Sequence, residues 1–142
     1  MNAEIRANIR LRWLESLYEL SHLNFQRELW IEAKYPEVIG NFDEAICKYF
    51  DDLNLNQGYQ NSSNSGIYEP TEQRAVSTFH QELCNYLDKP EKRTLSDTKV
   101  LKDPEWQQLS KLGLTAWNEI KLLLTEPGEL ALAGELEHKY GN

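Results

Sequence analysis

At 142 residues, 40% of them hydrophobic, the chain has the size and composition of one globular domain able to bury a core without metal or disulfide staples. Its formal net charge of −8 excludes the basic footprint that a nucleic-acid binder needs to displace phosphate counterions. No apolar run approaches the ~18 residues of a membrane span, and charges interleave the apolar residues at the N-terminus, where a signal peptide would carry a continuous apolar core. The expected location is the cytoplasm, with Cys47 and Cys84 as free thiols.

Helical periodicity runs through the chain. In the first segment Ile5, Ile9, Trp13, Leu17 and Leu20 recur on one arc, and Leu11, Leu14 and Tyr18 widen it to a second side. A helix apolar around so much of its circumference is either central to a bundle or in contact with a second chain, so a homodimer through the N-terminal helix is one expectation. Asn24 can cap a second segment carrying Phe25, Leu29, Trp30 and Ala33, which Pro36 closes. Asn41, three residues before Glu44, has the form of a capping box and opens a third stripe through Phe42, Ala45, Tyr49 and Leu53.

A long polar run over 54–70 interrupts the pattern. Pro70 and Thr71 then open a fourth helix with Val76, Phe79, Leu83 and Tyr86 inward. Asp103 followed by Pro104 predicts the start of a fifth, whose stripe is Trp106, Leu109, Gly113, Trp117 and Ile120. A glycine in such a stripe gives up helix stability, so Gly113 predicts a close helix crossing. Residues 125–128 break the chain, leaving 128–142 as a short C-terminal helix or frayed tail. No segment alternates with period two. The predicted fold is therefore all-α: one domain over 1–142, an up-and-down bundle of five or six helices with one long polar loop.

Catalytic motifs are missing. There is no Gly-x-Ser-x-Gly elbow and no Gly-rich phosphate loop before a helix. Two Glu-x-x-His pairs, Glu19 with His22 and Glu135 with His138, have the spacing found in di-iron bundles. At ~100° per residue both pairs turn away from their apolar arcs, so neither is expected to face a core. His80 and Cys84 share a helix flank, and a metal-dependent bundle enzyme drawing on His22, His80, Cys84 and His138 is the catalytic alternative. The leading expectation carries no cofactor and no metal.

The polar run has the Asn, Ser, Gly and Tyr mixture of adaptable binding loops. Almost nothing apolar offsets the ~1–2 kcal/mol per residue of ordering it, so mobility is expected from Asn54 to Gly66, with Leu55 and Ile67 pinning its ends. Carboxylates flank it: Asp43, Glu44, Asp51 and Asp52 before, Glu69 and Glu72 after, with Lys48 between. As a binding element, Tyr59 and Tyr68 would fill partner pockets while Asp51, Asp52, Glu69 and Glu72 pair with cations. In size and acidity the chain resembles small acidic bacterial immunity proteins, and that likeness implies neutralisation of a basic toxin. A non-enzymatic module binding a basic protein is accordingly the leading functional expectation.

Overall fold

The computed structural model describes residues 2–141 and forms eight α-helices among them: α1 (Ala3–Ser21), α2 (Leu23–Gln26), α3 (Phe42–Cys47), α4 (Pro70–Leu87), α5 (Pro90–Arg93), α6 (Asp97–Lys102), α7 (Pro104–Leu123) and α8 (Pro127–Tyr140). No described residue lies in a strand, and no described helix is long and apolar enough to cross a membrane. The α-helical class is as expected. Two short helices, α5 and α6, occupy the stretch between the predicted fourth and fifth helices, where no element was expected, and Asn142 of the C-terminal tail lies outside the described residues.

Local chemistry sets most boundaries. The side chain of Asn2 accepts from the Ile5 N–H at 2.8 Å, Asn41 from Glu44 at 2.8 Å and Asp103 from Glu105 at 3.0 Å. Prolines stand in the first turns of α4, α5, α7 and α8, where a missing N–H has no helical partner to lose. Beyond α2 the chain continues as a π-helical turn, Arg27–Ile31, and α3 runs into a second, Lys48–Asp52. Ala33, at φ 49°, turns the chain out of the first of these, so that segment ends before Pro36 rather than at it.

α7 is the central helix and packs against α4 and α1. Tyr86, late in α4, bonds Asp103 at the start of α7, while Thr71 and Arg74 flank Leu122 and Leu123 at its end, so the two run antiparallel. Gly113 sits where α7 crosses both neighbours. A Cβ there would lie 3.0 Å from Phe79 and 3.1 Å from Ser21, which is the close approach its position predicted. Trp13, Trp106 and Trp117 are fully buried, and Trp30 joins them in the core.

The breadth of the apolar arc of α1 is used inside the chain. Its second half is covered by α7, α8, α2 and α3, which takes away the reason for a homodimer through this helix. The arc also begins later than the periodicity suggested, because Ile5 is exposed. Leu130 of α8 is exposed as well.

The polar run is packed, contrary to the mobility expected of it. Its backbone makes turns and one 3₁₀ turn, Ser62–Asn64, and Leu55, Tyr59, Asn64, Ile67 and Tyr68 are all buried. Asn64 Nδ2 donates to the carbonyls of Asn54 at 2.9 Å and Gly58 at 3.1 Å, closing the loop on itself. The tyrosines supply the buried area that a count of aliphatic residues had missed.

Candidate functional site

Of the proposed partner-binding residues, Asp51, Asp52 and Glu69 are exposed, while Tyr59, Tyr68 and Glu72 are buried. The buried three therefore offer no surface to a partner, and each has an internal role. Tyr59 Oη accepts from Trp13 Nε1 at 2.8 Å and lies 2.8 Å from Tyr49 Oη, which in turn meets His80 Nδ1 at 2.9 Å. The ring of Tyr68 packs on Trp13 with centroids 4.8 Å apart.

Glu72 belongs to a buried ion cluster. Arg10 Nη1 and Nη2 donate to its two oxygens at 2.8 and 2.6 Å, while Nε and Nη2 donate to Glu129 at 2.8 and 3.0 Å. Nη1 also reaches the Ile67 carbonyl at 2.7 Å, so every N–H of the guanidinium is used. Burial by itself would lower the pKa of Arg10, but the hydrogen bonds and charges of Glu72 and Glu129 outweigh it and raise the value. The cluster ties α1, α4, α8 and the foot of the polar run together. Glu69 stays outside, facing Arg6 at 3.9 Å.

The metal alternative finds no assembled ligand set. Among the described residues no three His, Cys, Asp or Glu side chains gather as a metal would require. His22 stacks on Tyr18 with centroids 3.8 Å apart, His138 is exposed on α8, and His80 is engaged by Tyr49, with Cys84 Sγ 3.7 Å from its Nε2. Burial lowers the pKa of both His22 and His80.

Two features survive as surface for function. The first is an acidic ridge on α3 and its π turn. Asp43, Glu44, Asp51 and Asp52 are all exposed and surround the exposed Cys47, whose thiol pKa is raised by partial desolvation and then by these four carboxylates. None of the four takes part in an ion pair among the described residues. Lys48, the cation within the ridge, turns instead toward Glu19.

The second feature is a cleft at the foot of the ridge, with a volume of about 310 Å³, bordered by α1, both π turns and α8. Glu19, which the helical wheel placed away from the core, is buried in its wall. Its Oε2 accepts from Trp30 Nε1 at 2.8 Å, and its Oε1 faces Lys48 Nζ at 3.8 Å. Each π turn thus contributes one of the two contacts to this carboxylate, and such turns concentrate at functional sites. Burial pushes the Glu19 carboxyl above its ordinary value, against the opposing pull of Trp30 and Lys48. Sequence reasoning missed Glu19 because it turns away from the apolar arcs of α1, toward a face that the two π turns cover.

No family model matches the chain, and no curated protein or solved structure matches it significantly.

Proposed function

We propose that the protein is a non-enzymatic cytoplasmic module that binds a basic protein partner through the ridge of Asp43, Glu44, Asp51 and Asp52. The observation that carries this reading is the unpaired state of those four exposed carboxylates beside a cation, Lys48, that is turned toward Glu19. Like charges held close on a surface repel one another, and an approaching cationic surface relieves that repulsion while gaining its own. Exposed carboxylates without ion-pair partners are available to an incoming cationic surface. Neutralisation of a basic toxin is one function such a surface serves.

The test is capture from a lysate of the native cell at low and high salt, with the wild type and with the variant D43N/E44Q/D51N/D52N side by side. A basic protein recovered by the wild type at low salt, and lost by the variant, supports the reading. Equal recovery by both proteins, or no basic protein under any condition, rejects it.

A further inference from the structure

The cleft beside Glu19 contains a second, independent recognition element. Ser16 and Glu19 stand three residues apart on α1 and so share a face. Both are more than nine-tenths buried, at 5% and 6% relative exposure, and both line the cleft. The Ser16 hydroxyl is buried without any hydrogen-bond partner. Glu28 Oε1 and Tyr68 Oη are also buried and unpartnered, but neither residue lines this cleft. An unpartnered buried hydroxyl sacrifices about 1–3 kcal/mol of solvation, so its place in a cleft wall points to a ligand that completes it.

The rest of the cavity defines that ligand. Phe25, Leu29, Val38, Leu53 and Leu136 give it an apolar wall, and Tyr18 and Tyr140 add ring faces. Its charged residues are Arg12, Glu15, Glu19, Lys48 and Asp52, so carboxylates exceed cations. Glu19 Oε1 has no donor within hydrogen-bond reach, since Lys48 Nζ, the nearest cation, stands at 3.8 Å. An anion placed here would meet a buried carboxylate; a cation would satisfy it. The volume of about 310 Å³ is at the lower end for small-molecule sites.

We propose that this cleft binds a cationic nitrogen carried on an apolar stem, with the nitrogen donating to Glu19 Oε1 and Ser16 Oγ and the stem lying on Phe25, Leu29 and Leu136. The charge of a cation at Oε1 also opposes the desolvation that raises the Glu19 carboxyl. Such a group comes either from a free alkylamine or from a lysine side chain of a protein. The proposal stands on Ser16 and Glu19 and does not depend on the acidic ridge.

Amide chemical shifts of the isotope-labelled protein, followed during titration with hexylammonium, hexanoate and decalysine, separate these cases. Hexylammonium is expected to shift Ser16, Glu19 and Leu136 saturably, with affinity reduced about tenfold by Glu19→Gln and several-fold by Ser16→Ala. The unchanged remainder of each variant's spectrum shows that it is folded. Hexanoate is expected to leave these signals in place. Decalysine shifting the cleft as well as the ridge assigns the ligand to a protein side chain, whereas ridge shifts alone beside cleft binding of hexylammonium assign it to a free amine. Cleft binding of hexylammonium with no response to decalysine upholds this site and counts against the ridge. Absence of a saturable shift with hexylammonium, or equal binding of hexanoate, overturns the proposal.

Discussion

Arg10 and Glu19 lie on one helix, both buried and both charged, and they answer substitution in opposite ways. Arg10 has two carboxylates and a carbonyl on its N–H groups, so removing it strands Glu72 and Glu129 in the interior. Breaking a buried ion cluster in this way costs about 3–5 kcal/mol, and denaturant unfolding of Arg10→Met should show a loss of that size. Glu19 has no such compensation. Its folded pKa is raised above the ordinary value of 4.5, chiefly by burial, so the ionised form works against folding at neutral pH. Glu19→Gln keeps the shape and an acceptor for Trp30, and its melting temperature at pH 7 should equal or exceed that of the wild type. The sign follows from linkage: the penalty is present above the unfolded pKa and vanishes as pH falls below it, so any gain should disappear by about pH 4. A clear drop in stability at pH 7 would mean that the carboxylate serves the fold rather than a ligand.

The segment between α3 and α4 is the element most changed by packing. Its tyrosine rings and the Asn64 carboxamide replace the aliphatic residues that a core segment ordinarily carries. Excising residues 57–65 removes Tyr59 and with it the hydrogen-bond partner of Trp13 and Tyr49, and calorimetry should record a loss of about 3–5 kcal/mol, as for truncating a buried aromatic. A melting temperature within a few degrees of the wild type would restore the mobile-loop view. What could be read from the sequence were features with a local signature: the caps at Asn41 and Asp103, the helix-opening Pro70 and Pro104, and the tight crossing announced by a glycine, Gly113, standing in an apolar stripe. What could not be read depends on partners far along the chain. Residues 16–21 are buried on every side because α2 and the π turns cover the face opposite α7, and a helical wheel assumes one buried face. Glu19 was hidden for that reason, and the buried Arg10 cluster because its partners Ile67, Glu72 and Glu129 stand far along the chain on other segments. Asp51 and Asp52 were legible because exposed charge needs no partner to place it.

Across the whole molecule the net charge of −8 is unevenly used. Glu72 and Glu129 share the one charge of Arg10 inside, Asp103 and Glu105 are paired with Lys92, and Glu137 with Lys121. The ridge of Asp43, Glu44, Asp51 and Asp52 has no such partners, so its field reaches into solvent over about the Debye length, ~8 Å at physiological salt. Steering by such a field acts on the rate of encounter more than on the lifetime of the complex. The association rate constant for the captured basic partner, measured at a series of salt concentrations for the wild type and for D43N/E44Q/D51N/D52N, therefore tests the ridge most directly. The wild-type rate should fall steeply as salt rises, and the variant should start lower, by about tenfold at low salt, and change little. The same steep salt dependence in both proteins would contradict a binding surface at the ridge.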